Sequence, residues 1–175
     1  MLYNISNFYN IKDYLYLLNA GLITDLIVIM RIIFGQINIK SLNIWYRKFG
    51  LLAVIADVLS IVIGIIIARY IYTFFFKEYS LLLFIIITVG VQVIHDISFA
   101  YLFNLIPRNK SEILDIFKDY GKEVGFTIIL ADSLMMISTV LIGTYLSYFS
   151  ININIIILII SLYILPYFLY SIKSK

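Results

Sequence analysis

Four stretches of this chain, near Leu51–Phe75, Ser80–Ile106, Val124–Phe149 and Ile151–Tyr170, are apolar over about 20 residues or more, the length a helix needs to cross a bilayer. In lipid such a stretch has to be helical, because an open strand edge leaves backbone N–H and C=O groups unpaired. The many Ile and Val residues, which favour strands in water, are overridden there. The expected fold is therefore all-α. It is an integral membrane bundle of four transmembrane helices within 50–171 (spans 51–75, 80–106, 124–149 and 151–170). An N-terminal membrane-associated helix within 1–49 precedes it, an amphipathic cytoplasmic helix sits in one loop, and a basic tail at 172–175 follows.

Composition agrees. Of 175 residues, 63% are hydrophobic and 13% charged, against about 45–50% and about 25% in soluble domains. A core this small cannot hide that surplus from water. The absence of cysteine excludes disulfides, thiol catalysis, zinc–thiolate sites and iron–sulfur clusters. The net charge of +3 is scattered, which argues against a nucleic-acid partner. Met1 to Asn10 contains no Lys or Arg, so the basic start of a signal peptide is missing. The frequent Ile, Asn, Lys, Tyr and Phe have AT-rich codons and point to an AT-rich genome.

Basic residues set the expected orientation. Lys40, Arg47 and Lys48 precede the first span; Arg108, Lys110, Lys118 and Lys122 follow the second; Lys173 and Lys175 close the chain. The positive-inside rule then puts both termini and the Pro107–Glu123 loop in the cytoplasm. Arg69, near the outer end of its span, is expected to snorkel to the headgroups. Trp45, Tyr46, Tyr120, Tyr167 and Tyr170 fit an inner aromatic belt.

Gly21–Phe34 is apolar but short and carries Asp25 and Arg31, so it reads as a membrane-lying or re-entrant helix. The alternative extends it back to Tyr14 as a fifth span and moves the N-terminus outside, a difference the Asn4-Ile5-Ser6 sequon would report. In the Pro107–Glu123 loop, Pro107 stops one helix and Ser111 can cap another. Ile113, Leu114, Ile116 and Phe117 form an apolar face opposite Glu112, Asp115, Lys118 and Asp119, as in a helix lying at the interface.

The chemistry-bearing residues lie inside the spans. Ionisable groups in a bilayer are costly and usually face a partner or water. Counting 1.5 Å per residue puts Asp57 and Asp132 roughly 10 and 13 Å inside their helices, and His95 and Asp96 roughly 17 Å above Pro107. These depths overlap, so Asp57, Gln92, His95, Asp96 and Asp132 are expected to form one polar layer, supported by Ser60 and Ser133. Ala53, Asp57, Ser60, Gly64 and Ala68 recur at helical spacing, as do Gly125, Asp132, Thr139 and Gly143, the small and polar stripes that helices pack through in lipid. The fourth span carries no charge and reads as a lipid-facing support. Ala56-Asp57 and Ala131-Asp132 share a short context, which is either a parallel repeat or coincidence in biased sequence.

Three functions fit such a layer. Neutral, mutually bonded carboxyls would simply hold a structural or partner-binding membrane protein together; this is the leading reading. The runner-up is an ion- or proton-coupled transporter or channel, in which three carboxylates and an imidazole relay protons or hold a divalent metal. Four spans are few for a transporter, so it would need a homo-oligomer. An intramembrane enzyme is the weakest: Asp57 and Asp132 lack the glycine-flanked aspartyl-protease motif, and Ser98 and Ser133 lack any hydrolase context. No catalytic residue or cofactor is assigned.

Several runs occur together: Trp45-Tyr46-Arg47-Lys48-Phe49-Gly50-Leu51, Val54-Ile55-Ala56-Asp57-Val58-Leu59, Ile94-His95-Asp96, Ile106-Pro107-Arg108, Phe117-Lys118-Asp119-Tyr120-Gly121-Lys122-Glu123-Val124-Gly125 and Ala131-Asp132-Ser133-Leu134-Met135-Met136. From about Trp45 to Tyr170 the chain resembles uncharacterised multi-pass membrane proteins of mimivirus-like giant DNA viruses. The resemblance implies a viral, AT-rich source and a virion inner membrane or host endomembrane. It carries no activity and no residue roles.

Overall fold

The computed structural model describes residues 3–172, which form seven helices and no strand. They are α1 (Lys12–Ile33), α2 (Lys40–Phe49), α3 (Leu51–Phe75), α4 (Leu81–Leu105), α5 (Glu112–Val124), α6 (Thr127–Leu146) and α7 (Ile151–Leu169). Five of them, α1, α3, α4, α6 and α7, are long and apolar enough to cross a membrane. That fits a membrane protein. Lys173 and Lys175 of the expected tail lie outside the described residues.

Helix ends follow local chemistry. Ser80, Ser111 and Ser150 each accept a hydrogen bond from a backbone N–H of the following first turn, capping α4, α5 and α7. Helix α4 stops just before Pro107, as expected. Gly50 and Gly125, at φ +52° and +62°, let α2 and α5 turn sharply into α3 and α6. The third expected span, 124–149, is therefore shortened to Thr127–Leu146, because Val124 ends α5 and Gly125 makes the corner.

The N-terminal segment departs most from expectation. Instead of a short membrane-lying helix, α1 has 22 residues and packs on α3, α6 and α7 in the middle of the bundle. The count of span-length helices is five, not four. Asp25 and Arg31 made this segment look too polar to cross. Yet Asp25 is fully buried with a tyrosine partner, Asp13 in the first turn is paired, and Arg31 sits in the last turn. Close approach is enabled by small residues. A Cβ on Gly21 would meet Val58 of α3 at 3.4 Å, and one on Gly143 of α6 would meet Ile5 and Leu17 at 3.1 and 3.2 Å.

The two ends of the described chain lie at opposite ends of the bundle. The Tyr3–Asn10 segment sits with the α3–α4 and α6–α7 connections: Phe8 N–H donates to Thr73 Oγ1 at 3.0 Å, and Tyr3 N–H to Tyr148 Oη at 3.2 Å. At the other end Tyr170 lies against Gly50, beside α2 and α5.

Helices α4 and α7 turn much of their surface outward. Leu82, Ile86 and Ile94 on α4 and Ile156, Ile159 and Ile160 on α7 are exposed. The uncharged α7 is not only a support, however. Its buried Asn154 caps the preceding helix, donating to Leu146 O at 3.0 Å, and accepts from Asn19 of α1 through its own carbonyl at 2.8 Å.

Candidate functional site

Two polar centres lie inside the bundle, one near each end. The first is at the α2–α5 end. Asp57 on α3 accepts from the Trp45 indole N–H at 3.0 and 3.3 Å. Asp25 on α1 accepts from Tyr46 Oη at 2.6 Å. Both donors come from α2, whose spacing sends adjacent Trp45 and Tyr46 inward while Lys48 and Arg47 stay exposed. Asp57 and Asp25 are in electrostatic reach of each other. Burial, then the charges of Asp25 and Asp57, push the Tyr46 phenol well above its ordinary value, so it acts as a proton donor to them throughout the physiological range.

On α4, Gln92 donates to Asp96 Oδ1 at 2.7 Å, and His95 Nδ1 lies 3.2 Å from the same oxygen. His95 is partly exposed and stacks on Phe99, with ring centroids 4.1 Å apart. It meets Asp96 on its own helix and does not reach Asp57. Asp132 on α6 is half-buried, accepts no hydrogen bond from a described residue, and feels Asp96 first and Asp57 second. Tyr120 on α5 registers the convergence from outside. Burial, then Asp132, Asp57, Asp96 and Glu123 in that order, raise its phenol.

The expected layer is thus partly assembled, with Asp25 as a member sequence reading left out. It is an electrostatic cluster and not a coordination shell. Among the described residues no group of three or more His, Asp or Glu side chains is placed to hold a metal ion. Ser60 is half-buried and Ser133 buried beside Asp132, but neither bonds an aspartate among the described residues. Above the layer, Gly64 of α3 brings Gln92 and Met136 together; a Cβ there would meet Met136 Cε at 2.9 Å. No Lys or Arg side chain among the described residues pairs with Asp25, Asp57, Asp96 or Asp132; the ion pairs lie elsewhere, apart from His95–Asp96. Two buried oxygens, Asp25 Oδ2 and Asp96 Oδ2, have no hydrogen-bond partner.

The second centre is at the opposite end. Arg69 of α3 does not snorkel: it is fully buried and pairs with Asp13 of α1 at 2.9 Å. The same nitrogen donates to the carbonyls of Asn7 and Asn10, and the guanidinium lies 4.7 Å from the Tyr14 ring centroid. Asp13 also accepts from Tyr3 Oη at 2.7 Å and Asn10 Nδ2 at 2.9 Å. This network folds residues 3–11 onto the bundle end. The surface grooves lined by Asn4, Tyr72 and Lys77, and by Phe8, Tyr70 and Phe74, belong to this end and are not lined by Asp25, Asp57, Asp96 or Asp132.

Comparison with protein-family models, curated proteins and solved structures finds no match. Fold and site define an all-helical bundle with five helices of membrane-crossing length and a carboxylate layer without a Lys or Arg partner.

Proposed function

We propose that the chain is a multi-pass membrane protein whose Asp25, Asp57, Asp96 and Asp132 layer takes up and releases protons or a small cation, as in ion- or proton-coupled transport. The observation that carries this is four carboxyl groups from α1, α3, α4 and α6 gathered without a Lys or Arg partner, two of them with a buried unpartnered oxygen. Like charges so placed favour a bound proton or cation.

The proposed orientation puts α2 and α5 in the cytoplasm. Arg31, Lys40, Arg47, Lys48, Arg108 and Lys110 cluster at that end, which suits the positive-inside rule. The N-terminal segment is then outside. Helices α2 and α5 lie at the headgroup level, with Trp45, Tyr46 and Phe117 turned toward the bundle. The resemblance to giant-virus proteins suggests a virion inner membrane or host endomembrane, which immunogold labelling of infected cells would test.

Proton and cation flux into proteoliposomes tests the main reading, comparing wild type with Asp132→Asn and Asp25→Asn. Flux abolished in both folded variants supports it. A second reading, a structural or partner-binding membrane protein, is favoured by the neutral donors already given to Asp25, Asp57 and Asp96. Folded wild type without flux across a panel of ions would make that second reading the better one.

A further inference from the structure

The carboxylate layer is closed from the α2–α5 end by those two helices, and their attachments set them apart from the rest of the fold. Among the described residues there are four with positive φ: Gly35, Gly50, Asn109 and Gly125. Gly35 and Gly50 flank α2; Asn109 and Gly125 flank α5. Each of these corners therefore lies in a connection leading into or out of one of the two covering helices, Gly35 just past the end of α1. Helix α5 has no fully buried residue and meets the core through the partly buried Ile116 and Phe117, a lighter attachment than that of the long helices.

What joins α5 to α2 is specific. Glu123 Oε1 accepts from Lys40 N–H at 2.7 Å, and its Oε2 accepts from Ser41 N–H at 2.9 Å and Ser41 Oγ at 2.6 Å. One carboxylate thereby caps the first turn of a helix that starts 83 residues earlier in the chain, with the helix dipole favouring its charge. At the far end of α2, Lys48 meets Glu112 at 2.9 Å, an exposed pair of little strength. Between them Trp45 stacks against Phe117, with centroids 4.9 Å apart. Trp45 is the residue whose N–H holds Asp57. Moving α5 away would uncover Trp45, and with it one face of the layer.

We propose that α2 and α5 form a hinged cover over the carboxylate layer, latched by Glu123 on the N-terminus of α2. This regulation rests on the reading of the layer as a proton or cation site. In the closed form Trp45 and Tyr46 bond Asp57 and Asp25, and Tyr120 lies within reach of Asp132 and Asp96. Opening frees those carboxyls toward one aqueous side only, because the Gly64–Gln92–Met136 contact stays closed above them.

The natural chain has no cysteine, so single reporters have no background. The test uses Ser133→Cys, buried beside Asp132, and Thr144→Cys, buried toward the other end of α6, each reacted in proteoliposomes with a membrane-impermeant thiol reagent. Combining Ser133→Cys with Glu123→Ala is expected to raise its labelling rate about tenfold, the shift for losing a net charge-assisted hydrogen bond, with Thr144→Cys unchanged. Glu123→Gln, which keeps the shape and one carbonyl oxygen, is expected to fall between, and it replaces Glu123→Ala if that variant does not fold. An unchanged Ser133→Cys rate overturns the cover. So does equal acceleration at both reporters, which marks general loosening. Proton flux in the same vesicles separates the two ideas. Labelling that responds without flux in any variant keeps the cover and removes conduction. Flux that persists with labelling indifferent to Glu123 keeps conduction and removes the cover.

Discussion

Replacing Asp13 by Ala would strand a guanidinium in the interior. Arg69 and Asp13 side chains are both fully buried, 2.9 Å apart, and Arg69 Nε and Nη1 already lack partners. After Asp13→Ala the cation keeps only the Asn7 and Asn10 carbonyls and the Tyr14 ring. Breaking a buried pair from one side costs about 3–5 kcal/mol. The converse variant, Arg69→Met, is different. Asp13 keeps the Tyr3 hydroxyl and the Asn10 amide and can become neutral by taking a proton, while Met restores much of the lost packing. Losing a charge-assisted hydrogen bond then sets the scale, about 1.5–3 kcal/mol. Asp13→Ala is therefore expected to be the more harmful by about 2 kcal/mol, the difference between those two ranges. The assay is unfolding of purified protein in mixed micelles by denaturing detergent, followed by tryptophan fluorescence, with the double variant closing a cycle. Equal costs, or a larger one for Arg69→Met, would refute the asymmetry. Costs near zero for both would mean that Arg69 reaches the headgroups after all.

Tyr46→Phe removes the only described donor to Asp25 and is expected to lower stability by about 1–3 kcal/mol in the same assay, since a buried acceptor is left unmade. Gly143→Val places side-chain carbon where Ile5 and Leu17 already stand at 3.1 and 3.2 Å and is expected to cost about 1–3 kcal/mol, whereas Gly90→Ala, with nothing within 4 Å, is expected to be neutral or slightly stabilising. The Glu123 latch gives a pH dependence. Hydrogen bonds from the Ser41 hydroxyl and N–H, then from the Lys40 N–H, with the charge of the Lys40 ammonium, hold Glu123 below its ordinary value of 4.5. Its folded-state pKa is depressed, so the latch is fully present above that value and is lost as pH falls below it toward the folded pKa. Ser133→Cys labelling by an acid-tolerant thiol reagent is expected to accelerate only in that acid window, and a flat profile would count against Glu123 as the latch.

Sequence reading recovered α3, α4 and α7 closely because each is a long apolar run bounded by Gly, Ser or Pro, and those signals are local. For α1 the alternative reading, a long helix reaching back to Tyr14, matches the structure better than the short membrane-lying one, which weighed Asp25 and Arg31 one residue at a time. The cost of a buried acid depends on a partner far away in sequence, Tyr46 for Asp25 and Arg69 for Asp13 in the first turn, while Arg31 is exposed at the helix end. Reading a buried acid on one helix against an unexplained Arg or Tyr on another would have exposed both pairings. The depth estimate did bring Asp57, Asp96 and Asp132 toward one another, since helical rise is regular. It did not place Trp45 and Tyr46, which looked like interfacial aromatics and turn out to be hydrogen-bond donors to the layer. His95 was expected at the heart of the layer, but rotation about the helix axis, which depth alone ignores, leaves it partly exposed beside Phe99.

Helix α1 is the first of the five long helices in chain order, and its most extensive packing is on the last two, α6 and α7. During synthesis its buried Asp13, Asn19, Thr24 and Asp25 enter before most of their company exists. Arg69 and Tyr46 arrive early enough to shelter the two acids, but Thr139 and Asn154 do not appear until the chain is nearly finished. Assembly of this bundle therefore closes a long loop at its final step. Until α6 and α7 have formed, Thr24 and Asn19 of α1 lack the partners they hold in the folded bundle, and damage to α7 would be felt first at α1.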